Sequence, residues 1–226
     1  MTQKIKLISQ MIDDAFLVAD VGCDHGHLGV ELIKQNKAQY VLNVDVNLSP
    51  LKQAIANSKK IIGKERIINI LNDGLSNLSI KNPIDYCVIA GLGVTKINDI
   101  INSSVVELKQ LIIQPEKNHI KMRYYLTKNN YQIVDEMIIF EKNNYYLIIK
   151  AIKCEEKPHL TNTDYVIGPI LKNQNSPELI NYIEQQKELL EKIPVDARKK
   201  LQHIAIKEYD RFLNNQWKLE KSQTES

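Results

Sequence analysis

Short, strongly apolar runs alternate with amphipathic stretches through the first two thirds of the chain. Ile5, Ile8 and Ile12 recur at helical spacing, with Leu7 and Met11 alongside, which predicts an amphipathic helix over residues 1–12. The run from Ala15 to Gly22 is apolar and stops abruptly at the glycine, the pattern of a buried strand. Residues 28–36 have helical spacing, 40–45 read as a second strand, and Ser49-Pro50 announces a helix over 51–62. A third strand over 67–71 closes in the turn Asn72-Asp73-Gly74, and a fourth over 85–90 is stopped by Gly91-Leu92-Gly93. Residues 94–103 are helical in pattern, 108–113 form a fifth strand, and 118–129 a further helix.

The rhythm then changes. Residues 132–140 and 145–152 are both strand-like, and the Asn143-Asn144 pair between them is a hairpin signal. Five βα units followed by an antiparallel pair predict an α/β fold: a doubly wound, mostly parallel seven-stranded sheet with right-handed crossovers and a terminal hairpin. Residues 154–177, with Pro158, Gly168-Pro169 and Pro177, read as a linker after a domain spanning 1–153. From 178 onward the pattern is helical and charged, broken at Pro194. Ile180, Ile183, Leu190 and Ile193 mark one helix, and Ile206, Tyr209, Leu213 and Trp217 the next. A coiled-coil-like helical hairpin over 178–226 is the simplest arrangement, its last six residues fraying.

Composition changes this picture little. Of 226 residues, 43% are hydrophobic and 25% charged, ordinary for a globular chain. No apolar stretch approaches the roughly 18 residues that span a bilayer, and the N-terminus shows no secretory pattern, so a cytoplasmic protein with no membrane is expected. Three scattered cysteines, Cys23, Cys87 and Cys154, suit a reducing compartment and lack any metal-ligand spacing, so no metal is expected. The net charge of +3 does not announce nucleic-acid binding. Its distribution is more informative: one basic run holds Lys52, Lys59, Lys60, Lys64 and Arg66, and another Lys117, His119, Lys121, Arg123 and Lys128, interleaved with Tyr124 and Tyr125. Both also read as solvated helix faces.

Chemistry belongs outside the carboxyl ends of the parallel strands, where strand order reverses. There the first strand leads into Asp20-Val21-Gly22-Cys23-Asp24-His25-Gly26, whose glycines allow a tight turn and close backbone approach. The second ends in Asp45, a carboxylate able to take two ribose hydroxyls. Asp73-Gly74 after the third suits an adenine amino group, and Ala90-Gly91-Leu92-Gly93 opens the backbone after the fourth. The glycine spacing at Gly22, Gly26 and Gly29 is not that of a nicotinamide-binding loop, which counts against an oxidoreductase. The terminal hairpin distinguishes the methyltransferase version of this sheet from the all-parallel dinucleotide-binding one.

At these residues the sequence resembles the bacterial tRNA (adenine-22-N1)-methyltransferases, the TrmK family, over nearly its whole length. The resemblance rests on Val18-Ala19-Asp20-Val21-Gly22-Cys23-Asp24-His25, Asn72-Asp73-Gly74-Leu75, Ile89-Ala90-Gly91-Leu92-Gly93, Leu111-Ile112-Ile113-Gln114-Pro115, Arg123 before Leu126, and Gly168-Pro169. The chain departs from the family's usual GMGG at Gly91-Leu92-Gly93-Val94, from QPN at Gln114-Pro115-Glu116, and from an aromatic at His27.

The resemblance implies a Rossmann-like class I methyltransferase domain with S-adenosylmethionine as cofactor and tRNA as partner. The methyl group would go to N1 of an adenine in the D-arm. The expected cofactor cradle is Asp20, Gly22, Cys23, Asp24, Gly26, Asp45, Val46, Asn72, Asp73, Gly74, Ala90, Gly91 and Leu92. N1 carries an in-plane lone pair and attacks a sulfonium methyl directly, so neither metal nor covalent intermediate is required. Positioning then dominates catalysis, on a base taken out of its stack. Asp24, His25 and His27 are the catalytic candidates: Asp24 to accept from the adenine amino group, or to cap the following helix; the histidines to stack or position, or to brace the loop. Lys117, Lys121 and Arg123 are expected on tRNA phosphates. A monomer is expected, with dimerisation through the C-terminal helices left open. A methyltransferase acting on another RNA, a protein or a small molecule would share the cofactor half, and a non-catalytic RNA-binding module would bind tRNA without methyl transfer.

Overall fold

The computed structural model describes residues 2–224, with side chains to Trp217. Seven strands run through it: β1 (Ala15–Val21), β2 (Ala38–Asp45), β3 (Ile67–Leu71), β4 (Tyr86–Leu92), β5 (Gln110–Pro115), β6 (Tyr131–Glu141) and β7 (Asn144–Lys153). They form one sheet in the order β3-β2-β1-β4-β5-β7-β6. The first five are parallel, and β7 runs antiparallel to both β5 and β6. This is the doubly wound sheet with the terminal hairpin that the sequence predicts.

The central strands are largely apolar because both faces are covered, with polar residues such as Asp20, Asn43 and Asp45 toward their carboxyl ends. In β1, Leu17, Ala19 and Val21 face a cluster that includes Ile97, Ile100, Met122 and Leu126, from α4 (Val94–Asn102) and α5 (His119–Lys128). Val18 points the other way, toward Ile8, Leu28, Leu32 and Ile33 of α1 (Gln3–Gln10) and α2 (His27–Lys34). Thr2 caps α1 through its hydroxyl, which accepts from the Ile5 N–H at 3.4 Å.

Three local differences from the expected elements have physical causes. Helix α3 (Leu48–Ser58) starts three residues early and carries Pro50 in its first turn, where a missing N–H breaks no intrahelical bond. Strand β4 does not stop at Gly91: its pairing with β5 shifts register between Ala90 and Leu92, and Gly91 takes φ +77° in that bulge. The hairpin turns one residue earlier than expected, at Lys142-Asn143, with φ +51° and +62°, as a two-residue turn requires. The crossover from β3 to β4 also contains no helix. Residues 72–85 cover the sheet instead with Leu75 and Ile84, both nearly fully buried.

The stretch expected to be a linker is built into the structure. It contains α6 (Asn162–Val166), closed by a reciprocal Thr161–Asp164 capping box, and Val166, Ile167 and Leu171 are buried. These join Leu147 of β7 to α7 (Pro177–Glu191) and α8 (Lys200–Thr224) through Leu179, Tyr182, Ile183, Ala205, Tyr209 and Phe212. The buried face of the helical pair is thus rotated by one position from the expected stripe at several points. Of the tail expected to fray, residues 221–224 continue α8, and Glu225 and Ser226 lie outside the described residues. Among the described residues no helix is long and apolar enough to cross a membrane.

Candidate active site

The carboxyl ends of the parallel strands surround an open cleft of about 800 Å³ at the reversal point between β1 and β4. Asp20, Gly22, Cys23, Asp24, Asp45, Val46, Asn72, Asp73, Gly74, Ala90, Gly91 and Leu92 line it, together with His25 and His27. Gly26 sits behind the cleft. It takes φ +65° at the start of α2, and a Cβ there would lie 2.8 Å from both Ala54 Cβ and Asn43 Nδ2. Its role is close packing of α2 against β2 and α3.

The loop after β1 is fastened to β2. The Val44 carbonyl accepts from the N–H groups of Gly22 and Cys23 at 2.8 and 3.1 Å. Asp24, in the left-handed region at φ +49°, directs its N–H to Asp45 Oδ2 at 3.1 Å, while the Asn47 N–H donates to Oδ1 at 2.8 Å. Two backbone amides therefore orient the buried Asp45 carboxylate.

Asp24 does not cap α2, because Gly26 occupies the cap position. Its side chain is exposed, with Oδ1 3.6 Å from His25 Nε2. Asn57 Nδ2 donates to the His25 carbonyl at 3.0 Å, so the backbone of His25 is braced from α3 and its ring remains at the cleft. The rings of His25 and His27 meet edge-on, 5.9 Å between centroids.

On the β3 side, Asn72 Nδ2 donates to the Gly74 and Ser76 carbonyls at 3.0 and 2.7 Å and shapes the turn. Asp73 pairs with Lys96 at 2.7 Å, a partner on α4 that the sequence pattern does not single out. Gly74, at φ +63°, brings the turn against Ile100, 3.3 Å from where a Cβ would lie.

Electrostatically the cleft floor is acidic. Burial pushes the Asp20 carboxyl up to about 7, and neighbouring Asp45 adds to the rise while Lys4 opposes it. Burial also raises the Cys23 thiol, which stays protonated and is no nucleophile. Lys4, from α1, was not among the expected residues, since nothing in the helical spacing of residues 1–12 marks it. Its ammonium enters the cleft from the far side, 3.4 Å from Gln114 Oε1 and 5.2 Å from the centre of the Tyr146 ring. Among the described residues no group of three or more His, Cys, Asp or Glu is placed to hold a metal ion.

The basic segment expected on tRNA divides. Lys117 and Lys121 are exposed, and Lys117 lines the cleft. Arg123 is not a phosphate contact: it is completely buried, pairing with Glu136 at 2.7 Å and donating to the carbonyls of Tyr165, Val166 and Ile167 at 2.9–3.2 Å. A guanidinium with that many fixed acceptors has none left for solvent. His119 is buried as well, its Nδ1 3.1 Å from the Tyr182 hydroxyl.

A family model described as tRNA (adenine(22)-N(1))-methyltransferase, TrmK, matches residues 18–218. A Mycoplasma genitalium protein named as a candidate tRNA methyltransferase is 32% identical, over 76% of this chain and 79% of its own. The Bacillus subtilis tRNA (adenine(22)-N(1))-methyltransferase is 25% identical over 67% of this chain and 64% of its own. Among solved structures, the M. capricolum TrmK complex with S-adenosyl-homocysteine superposes with a TM-score of 0.82, at 25% identity, covering 95% of this chain and 98% of that one.

Proposed function

The chain belongs to the TrmK family of tRNA (adenine(22)-N(1))-methyltransferases. On that footing we propose that it transfers a methyl group from S-adenosylmethionine to N1 of adenine 22 in the tRNA D-arm, by direct in-line attack of a base turned out of its stack. The observation that carries this reading is the acidic cleft, where Asp20, Asp24, Asp45 and Asp73 gather on one edge beside the exposed apolar side chain of Val46. Carboxylates beside an apolar surface fit the ribose hydroxyls and the adenine of a nucleoside.

Bound there, S-adenosylmethionine supplies a methyl group on a sulfonium centre. Asp45, held by the two amides, takes the ribose hydroxyls in this reading, and the exposed Val46 offers its apolar surface to the adenine. Gly22 and the Gly91 bulge keep the strand ends free of Cβ atoms where nucleophile and methyl must align. Asp24 accepts from the exocyclic amine of the target base and stabilises the positive charge that grows there on methylation. His25 and His27, at the mouth, stack on or position the extruded base. Lys117 and Lys121 contact the phosphate backbone. The cytoplasm is the compartment in which such a substrate is met.

The alternative of a different methyl acceptor shares the cofactor half and differs in what enters from the Asp24–His27 side. Methylation of total tRNA with labelled cofactor, followed by mapping, separates them. Label at adenine 22 as N1-methyladenine supports the proposal. Label at another nucleotide, or on no tRNA while a small molecule or protein accepts it, overturns it.

A further inference from the structure

A second groove, of about 620 Å³, opens beside the cleft between α2, the end of α3 and the turn that precedes β3. His27 lines both, so the two are continuous at the cleft mouth. Their charge is opposite. Four aspartates gather in the cleft, whereas the groove is lined by Lys34, Lys60 and Arg66 and, among the described residues, by no aspartate or glutamate. None of these three cations makes an ion pair among the described residues. Two of them are held by neutral partners instead. Lys60 Nζ donates to Asn57 Oδ1 at 3.1 Å, and Arg66 Nη2 to the Ile33 carbonyl at 3.4 Å. The Arg66 guanidinium packs on Gly63, at φ +86°, where a Cβ would lie 2.8 Å from Nη2. A fixed guanidinium and two ammonium groups, with no carboxylate among them, suit a polyanion.

Resting on the tRNA reading above, we propose that this groove is a subsite for the RNA strand beside the extruded adenosine, with Lys34, Lys60 and Arg66 on its phosphates. A base turned into the cleft past His25 and His27 leaves its backbone at the mouth, where the aspartates repel the adjoining phosphates. The groove is the neighbouring surface of opposite sign, and His27 stands at the join. Asn57 ties the two together: its Nδ2 donates to the His25 carbonyl at 3.0 Å while its Oδ1 accepts from Lys60. A phosphate seated on Lys60 is thereby fixed relative to the loop that carries Asp24 and His25, which sets the strand's register without any base contact. The groove lies on the β2–β3 side of the sheet, whereas Lys117 and Lys121 follow β5. The two sets of lysines thus flank the cleft and address phosphates on opposite sides of the target nucleotide.

The test uses the full chain, transcribed tRNA and labelled S-adenosylmethionine. Lys34→Ala/Lys60→Ala is expected to raise the KM for tRNA by about tenfold, to leave kcat nearly unchanged, and to lower the log–log salt slope of tRNA binding by about one to two. Arg66 is left in place, because its guanidinium also holds the end of α2. Lys52→Ala/Lys59→Ala removes the same charge from exposed positions along α3 that do not line the groove, and its KM should stay within about twofold of wild type. S-adenosylhomocysteine affinity, circular dichroism and melting should be unchanged in both variants. Equal rises in KM from the two would reduce the groove to a share of the general positive field. A fall in kcat at constant KM would mean that Lys60 acts through Asn57 on the His25 loop, and no change would mean that RNA does not reach the groove. Each of these results overturns the proposal. Wild-type protein that leaves adenine 22 unmethylated overturns the tRNA reading, and the subsite with it.

Discussion

Arg123 Nε donates to Glu136 Oε1 at 2.7 Å, with both side chains completely buried. The pair joins α5 to β6, and its remaining valences reach into the C-terminal part. Arg123 also holds the carbonyls at 165–167, and Glu136 Oε2 accepts from the N–H groups of Ile170 and Leu171 at 3.1 and 3.4 Å. Gly168 packs directly on it at φ +122°, where any Cβ would collide with the Glu136 carboxylate. The pair is therefore the joint between the sheet and the segment that carries the C-terminal helices.

Removing one half of the joint leaves a buried charge without its partner. Arg123→Ala is expected to lower unfolding free energy by about 3–5 kcal/mol, measured by urea denaturation. Among molecules that remain folded, S-adenosylhomocysteine affinity should be unchanged, because the joint lies away from the cleft. An unaltered denaturation midpoint would show that the pair contributes nothing.

Asp45 is the most firmly oriented carboxylate in the cleft, since each of its oxygens accepts from a backbone N–H. Asp45→Asn keeps the size and one acceptor but gives up the charge. It is expected to weaken S-adenosylhomocysteine binding by about tenfold or more. Affinity equal to wild type in a calorimetric titration would remove Asp45 from the ribose site.

Two buried groups tilt stability in opposite directions with pH. The folded-state pKa of Asp20 is raised to about 7, chiefly by burial, so between about pH 4 and 7 the folded chain binds more protons than the unfolded one and stability falls as pH rises. His119 is held down to about 3, by burial first and then by the Arg123 cation, so the unfolded chain binds more protons there and stability rises up to about pH 6.5. Asp20→Asn removes the falling limb alone. Without ligand it is expected to be more stable than wild type at pH 8, by roughly 1.4 kcal/mol for each unit of the raised pKa at most, with the difference closing near pH 4. Urea midpoints at the two pH values check this; a variant less stable than wild type at pH 8 would contradict it.

The sheet was readable from sequence because its signals are local. Apolar runs such as Val18–Val21 end in glycine or aspartate, and the strand-like pair flanking residues 141–144 cannot be parallel. What was not readable depends on partners far along the chain. Arg123 has the composition of a phosphate ligand, and only the arrival of Glu136 and of the carbonyls at 165–167 makes it a core residue. Lys4 looks like any polar position on an amphipathic helix until Glu141, 137 residues later, fixes the helix beside the cleft. Gly91 reads as a strand end because glycine usually is one. Here the same freedom at φ +77° lets β4 bulge and continue.

With Arg123 withdrawn into the core, Lys117 and Lys121 are the residues of this segment proposed to contact tRNA phosphates. Both are exposed on the run leading from β5 into α5, and Lys117 borders the cleft mouth. A lysine on a phosphate releases counterions when RNA binds, so its removal lowers affinity and flattens the dependence on salt. The double variant Lys117→Ala/Lys121→Ala is expected to bind tRNA more weakly, with a log–log salt slope reduced by about one to two. S-adenosylhomocysteine affinity should stay at the wild-type value, since neither side chain reaches Asp45 or Asp73. Filter binding over a range of potassium chloride reads the slope and calorimetry the second quantity. A tRNA affinity lost without a change in slope would place these lysines in the fold of α5 rather than on phosphate, and an unchanged affinity would move the phosphate contact to another face of the protein.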